Sequence, residues 1–424
     1  MSNSEPYAEK FSSVSEHTSF HCLPVAQQAF TRETAALHRF TLQELHQFTQ
    51  IALDLNRWGE SNIIEIWPKL DAGHMRGREQ KKALLLQLNN RWMELKTEPN
   101  RYHMQTPKPT LSRPNVISIP KDSIGLGYCP VASEKTRCCN LITLDAVENC
   151  GFDCSYCSIQ SFYHNNQVIF DSNFDKNLSG LRLDPDKIYH IGTGQSSDSL
   201  MWGNNYKMLD TLIRFAESNP NVILEFKTKS ANITHLNKID IPSNILCTWS
   251  LNTQEIIQNE EHGTAALKNR MLAARKIADK GALVGFHFHP IVHYQNWRKE
   301  YFQLYQQVQQ LFEPAEVAMI SLGTLTFIKP VVKKIRERNF HSKILKMPLV
   351  ETAGKLSYPL ETKLELFTHA YSSFSQQWRD EVFFYLCMEE PAIWQPVFGY
   401  QYRSNDEFEL AMKSSYMQKI RKIA

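Results

Sequence analysis

The stretch Asn149-Cys150-Gly151-Phe152-Asp153-Cys154-Ser155-Tyr156-Cys157 carries three cysteines spaced C-x3-C-x2-C on one short loop. A [4Fe-4S] cube normally takes four cysteine thiolates. Three thiolates leave one iron open to an exogenous ligand, and an open iron is reactive. Gly151 relieves crowding inside the loop, and an aromatic such as Tyr156 beside the last cysteine can shield a cluster from water, a lever on its reduction potential. Three clustered cysteines with a distant fourth ligand also suit a structural zinc site, and spacing alone leaves that alternative open. A disulfide fits less well: Met1 to Ser19 is polar, with neither a basic start nor an apolar core, so a reducing, cytoplasmic compartment is expected.

Around this loop, 424 residues suggest two or three structural units, at about 150 residues per domain. An apolar fraction of 42% is ordinary for a soluble globular chain. No apolar run approaches the roughly 20 residues of a membrane span, so no membrane partner is expected. With 47 basic and 44 acidic residues the net charge is +3, too small to argue for nucleic acid on bulk electrostatics. Any basic surface must be local.

Residues 1–22 read as disordered and 23–98 as a helical extension, with a capping box at Thr41 and Glu44 and a second helix over Arg78 to Leu95. Residues 99–140 read as a proline-punctuated linker with a strand at Asn115 to Ile119 and three cysteines, Cys129, Cys138 and Cys139. Their spacing matches no common cluster, and small buried thiols are frequent core residues; an auxiliary metal and a functional thiol are the alternatives. From Leu141 the chain alternates short apolar strands with amphipathic helices, the mark of an α/β fold with a parallel sheet. The expected strands are Leu141 to Leu144, Ile188 to Thr193, Val222 to Thr228, Ile245 to Leu251, Leu283 to Pro290 and Val317 to Leu322. Helices are expected over Lys207 to Ser218, Ala265 to Lys280 and Trp297 to Phe312.

The cysteine spacing followed by six βα units resembles the radical S-adenosylmethionine superfamily. The resemblance implies a partial (β/α)6 barrel over 141–345 with its chemistry at the C-terminal strand ends, a [4Fe-4S] cluster on Cys150, Cys154 and Cys157, and S-adenosylmethionine on the open iron. An electron donor such as flavodoxin or ferredoxin is then also implied. Gly192-Thr193-Gly194-Gln195-Ser196-Ser197-Asp198 closes the second strand, where two glycines let a ligand approach the backbone, and one βα unit after the cluster loop it suits the methionine end of the cofactor. Lys227 and Lys229, Ser250 and Asn252, and His287 and His289 form polar pairs on shared strand faces. Such pairs are costly to bury without purpose; a satisfied core hydrogen bond or an exposed strand end is the alternative explanation.

The order of segments is more specifically similar to the spore photoproduct lyase family, which reverses a UV-induced thymine dimer in DNA. The matching residues are Cys150-x3-Cys154-x2-Cys157, Ser197-Asp198, Phe226-x-Thr228-Lys229, Ser250-x-Asn252, Gly263-Thr264 with Arg270 and Ala273, Gly281-x3-Gly285-Phe286, Pro290 with Trp297, and Lys329-Pro330. They cover Leu141 to Phe340. The resemblance implies that Ser197, Lys229 and Ser250 contact the cofactor. Two positions depart from the family. Its hydrogen-donating cysteine is replaced by Gln195, whose N–H and C–H bonds are too strong to substitute for S–H, and Tyr156 is kept while Ser158 replaces a second tyrosine. Gln195 and Tyr156 are the catalytic candidates at those positions. Cys129, Cys138, Cys139, Cys247 and Tyr163 are the alternative quenching groups, and a changed substrate or outcome is favoured slightly over a replaced quencher.

Lys333, Lys334, Arg336, Arg338, Lys343 and Lys346 form the strongest basic run, suited to a phosphate backbone or to a solvated helix face. Residues 346–424 read as a helical cap, with apolar stripes from Leu364 to Tyr385 and a last helix opened by Ser404 and Glu407. Three functions compete: a lyase-like radical enzyme acting on a nucleic-acid photolesion, a radical enzyme for a nucleoside, peptide or metabolite, and a non-catalytic metal- or nucleic-acid-binding module.

Overall fold

The six apolar segments become neighbouring strands of one sheet in the computed structural model, which describes residues 11–12, 15, 19–102, 114–129, 135–159, 167–338 and 341–424. The sheet has eight strands: β1 (Gly125–Tyr128), β2 (Ile142–Asp145), β3 (Tyr189–Thr193), β4 (Val222–Thr228), β5 (Ile245–Ser250), β6 (Leu283–Ile291), β7 (Val317–Thr324) and β8 (Phe383–Leu386). Their spatial order is their sequence order. From β2 to β8 every pairing is parallel, and only β1 runs antiparallel to its neighbour. All residues of β5 and β7 are buried, which explains their unbroken apolar runs: a parallel strand covered on both faces has no polar side to alternate with.

The expected strands fall within two residues of the observed ones. The helices Met208–Ser218, Leu267–Asp279 and Trp297–Leu311 likewise match, each burying its apolar stripe. Two strands of this sheet were not anticipated. Gly125–Tyr128 is short and glycine-rich, and Phe383–Leu386 lies in the stretch read as a helical stripe; four consecutive apolar residues are too few for periodicity to distinguish a buried strand from a helix. The region beyond 345 is therefore not a purely helical cap: after the helix Leu360–Ser372 the chain returns to the sheet as β8. In the last helix, Asn405–Ile423, the Ser404 hydroxyl accepts from the Glu407 amide at 3.1 Å, while the Glu407 carboxylate takes the amide of Arg403 in place of that of Ser404.

The chain divides into two units, Met1–Pro109 with Lys329–Leu349, and Thr110–Ile328 with Val350–Ala424. The first unit is helical and is built around Phe48, Ile51, Leu55, Trp58, Leu84 and Leu88. Its capping box forms as expected, with the Glu44 carboxylate accepting from the Thr41 amide at 2.7 Å. Ser19–Cys22, expected to be disordered, makes a 3-10 turn that buries Phe20; Met1 to Lys10 lie outside the described residues. The basic run belongs to this unit and partly turns inward. Lys346 is 4% exposed and pairs with Glu60 at 2.6 Å, and Arg336 lies close enough to the buried Asp54 to oppose the rise that burial imposes on its carboxyl. Fewer of these cations face solvent than their number in the sequence suggests.

Candidate functional site

Within the second unit, the cysteine loop and the C-terminal ends of the strands line a cavity of about 410 Å³. The loop is held by a segment 105 residues downstream. Cys154 pairs with Glu261 and Asp153 with His262 in a two-residue antiparallel ladder, and the Ser155 amide donates to the Glu260 carbonyl at 2.8 Å. The Ser155 hydroxyl donates to the Glu260 carboxylate, and the Tyr156 hydroxyl to that of Glu261. Glu261 is in turn bound by Arg270 at 2.6 Å, whose guanidinium also donates to the carbonyls of Ser250 and Ala265, each at 2.8 Å. Burial pushes the Glu261 carboxyl up, but the charges of Arg270 and Lys229 and the hydrogen bond from Tyr156 outweigh it and leave the group below its ordinary value.

Cys150, Cys154 and Cys157 all line the cavity, and the Lys229 ammonium stands 5.8 Å from the centre of the Tyr156 ring. Burial pushes the Cys150 and Cys154 thiols up, so a bound cation is needed to hold both as thiolates. A cube presents separate iron corners to separate thiolates, an arrangement that three thiols on the wall of one cavity suit. The donor set fits a cluster.

The loop after β3 is organised by Asp198. Its carboxylate accepts from the amides of Leu200 at 3.0 Å, Met201 at 2.9 Å and Lys229 at 2.6 Å and from the Thr228 hydroxyl at 2.7 Å, so it ties this loop to the end of β4. Gln195, Ser197, Lys229 and Ser250 line the cavity together with Tyr156, as does Gly194. Gly192, Thr193 and Asn252 do not stand on its wall. Gly192 lies against Leu141, whose Cδ2 would be 3.1 Å from an added Cβ; the Thr193 hydroxyl pairs with Ser199 at 2.7 Å. The Asn252 amide donates to the Pro290 carbonyl at 3.0 Å and accepts from Tyr301 at 2.6 Å. The side chains of Thr193 and Asn252 are thus engaged in internal hydrogen bonds, the alternative that sequence left open for such polar positions. Gly194 is also required by packing: at φ +88° its Cβ would meet the Lys227 carbonyl at 2.6 Å. A Gly194→Ala variant is expected to lose about 1–3 kcal/mol of stability, read from its urea midpoint, because both the left-handed backbone and the neighbouring carbonyl oppose a side chain.

Sequence reasoning singled out His287 but missed Glu225 and His190, with which it forms a polar floor to the cavity. Glu225 on β4 is bonded by His190 and His287, each at 2.8 Å, and by the Thr248 hydroxyl at 2.7 Å, all buried. Burial, reinforced by the charge of Lys227, holds the His287 pKa down at about 4. The unfolded value is about 6.5, so between the two pH values the unfolded chain binds more protons and folding weakens as pH falls, by as much as ~3 kcal/mol in full. His287→Gln should remove this part of the slope when urea midpoints are compared between pH 7.5 and 5. Of the alternative quenching groups, Cys129, Cys138 and Cys139 reach the cavity wall, Cys247 is buried inside the sheet away from it, and Tyr163 lies outside the described residues.

The same stretch of chain matches known proteins. A family model described as spore photoproduct lyase matches residues 144–358. The spore photoproduct lyase of Clostridium acetobutylicum is 26% identical over 223 residues, 51% of this chain and 64% of the relative. That of Bacillus subtilis is 30% identical over 120 residues, 28% of this chain and 34% of the relative. The chain thus spans about two thirds or less of the curated relatives it matches. A solved spore photoproduct lyase complexed with dinucleoside spore photoproduct shares the fold at TM-score 0.54 and 20% identity, covering 64% of this chain and 82% of that one. A variant of that enzyme with bound AdoMet and dinucleoside spore photoproduct gives TM-score 0.52, again at 20% identity over 64% of this chain and 82% of the other. With more than half of its length matched by the family model, and the three loop cysteines inside that match, the chain belongs to the spore photoproduct lyase family.

Proposed function

We propose that the chain is a radical S-adenosylmethionine enzyme acting on a nucleic-acid photolesion. The observation that carries this reading is the clamped cysteine loop, three thiols opening on one cavity at the C-terminal ends of a parallel sheet. We read that sheet as the open (β/α)6 barrel of the superfamily, β2 to β7, with the helical unit as an accessory. When bound, the cluster and S-adenosylmethionine supply a 5'-deoxyadenosyl radical by one-electron reduction. Cys150, Cys154 and Cys157 would hold the cluster, and Ser197, Lys229 and Ser250 the cofactor, with Gly194 and Gln195 beside them. Lys229 places a positive charge beside Cys154 and Glu261, which offsets the negative charge gathered there. Leu141, Phe152, Leu325 and Phe327 give the cavity apolar walls that keep water from a radical intermediate. The family relative bound to dinucleoside spore photoproduct supports a lesion in nucleic acid as the substrate class. A flavodoxin or ferredoxin as electron donor and a cytoplasmic setting follow from the same reading; no helix of the described residues is long and apolar enough to cross a membrane.

A second reading is favoured by two residues. Gln195 on the cavity wall and Ser158 beside Cys157 remove the family's hydrogen-donor and one tyrosine, so the fate of the product radical, or the substrate itself, differs from that of the repair enzyme. The test is release of 5'-deoxyadenosine by anaerobically reconstituted, dithionite-reduced protein with intact and with UV-irradiated DNA. Stimulation by irradiated DNA alone supports a lesion-directed enzyme. Release indifferent to DNA discards that substrate, and no release from cluster-loaded protein sinks the enzymatic reading.

A further inference from the structure

We propose that Cys129, Cys138, Cys139 and Cys387 form a second iron–sulfur site, a closed four-thiolate cluster that joins the first and last strands of the sheet. The fourth cysteine is one that sequence spacing does not associate with the other three, being separated from Cys139 by most of the chain. Folding brings them together from three segments. Cys129 leaves β1, its amide donating to the Leu141 carbonyl at 3.1 Å. Cys138 and Cys139 lie on the return into β2, where the Arg137 amide donates to the Glu389 carbonyl at 2.9 Å and that of Cys138 to the Asn405 side chain at 3.1 Å. Cys387 leaves β8, its amide donating to the Leu322 carbonyl at 2.7 Å. All four line the cavity, and Cys139 lies within electrostatic reach of Cys138, Cys387 and Cys129.

Inert packing is the competing explanation for buried thiols, since cysteine behaves as a small hydrophobe. It accounts well for Cys247, which is fully buried among apolar strands. It accounts less well for the four: Cys129, Cys139 and Cys387 are only partly buried, and all four thiol-bearing residues line one cavity. Of the nine cysteines in the chain, three stand on the cluster loop and four here. Four thiolates complete the coordination of a cube, so this site would have no open iron and would serve to tie strands together or to pass electrons, unlike the three-thiol loop. Lys355 feels Cys387, Cys129 and Cys138, and Lys227 feels Cys387, so cations already stand where a thiolate-bound cluster would put negative charge. Assembly takes up ferrous and ferric ions in equal number together with sulfide, and each thiol gives its proton to solvent on ligation.

The inference does not depend on the proposed activity, and its test reads metal rather than turnover. The full chain is reconstituted anaerobically with iron and sulfide and assayed for both, with circular dichroism as the check on folding. Wild type should bind about eight iron and eight sulfide, and the Cys150→Ala/Cys154→Ala/Cys157→Ala variant about four of each, retaining visible charge-transfer absorption. Cys138→Ser/Cys387→Ser in an otherwise unchanged chain should fall from about eight to about four, and combining both sets should abolish binding. A folded loop variant holding no iron overturns the proposal, as does one holding a single zinc. Should the loop variant fail to fold, a Cys138→Ser/Cys387→Ser protein with undiminished iron overturns it equally.

Discussion

Cys154→Ala is expected to reduce 5'-deoxyadenosine release by more than about 100-fold and to lower the iron of the loop site in step. Loss of an outer partner that merely orients a metal ligand costs 10- to 100-fold, so removing a ligand itself should cost more, because a cube missing two of its four thiolates has two open corners and is readily lost. Cys154 is the most confined of the three: it is 5% exposed and paired through its backbone with Glu261. The readout is release per protein chain together with iron content. A variant that keeps its iron and most of its cofactor cleavage would remove Cys154 from the ligand set and with it the reading of the loop.

Arg270→Met should destabilise the second unit by about 3–5 kcal/mol, the range for stranding one partner of a buried ion pair. Arg270 and Glu261 are 0% and 1% exposed, and the arginine also satisfies two carbonyls and the Thr264 hydroxyl, the last at 2.6 Å. The effect should be read as a lowered urea midpoint, and pairing the change with Glu261→Leu should recover part of it, since both charges then leave the interior. Because Glu261 also holds Tyr156 and the backbone of Cys154, the single variant should load less iron even where it remains folded. The pH dependence follows from the direction of the shift. A carboxyl held below its unfolded value, about 4.3, contributes stability that is present above that value and lost as pH falls through the folded one. Arg270→Met should flatten that acid limb, and an unchanged limb would show that Arg270 does not set the Glu261 charge.

Much of this was legible in the chain itself. The three loop cysteines, the parallel sheet and the six strands from Ile142–Asp145 to Val317–Thr324 follow from local chemistry: spacing that suits iron corners, and apolar runs of strand length between helical periods. The Thr41 capping box is equally local, a matter of residues three apart. Three cavity positions at strand ends were also found: Lys229 and Ser250 by the two-residue period of their strands, Ser197 by its place in the glycine-rich loop that closes a strand, and all three by the family resemblance. Spacing does not reveal that Gly192, Thr193 and Asn252 also make contacts within the fold; only the identity of the neighbouring atoms shows an internal hydrogen bond or a close packing contact.

The sequence by itself determined what local periodicity and spacing can carry, namely the elements, their order and the cysteine loop. Tertiary structure alone decided that Glu260 and Glu261 clamp that loop from 105 residues away, that Glu225 gathers His190 and His287 beneath the cavity, and that Cys387 lines the same cavity as Cys129, Cys138 and Cys139. The physical reason is common to all three. A buried carboxylate or thiol acquires its role from the charges and donors packed around it, and those arrive from strands whose separation along the chain leaves no periodic trace.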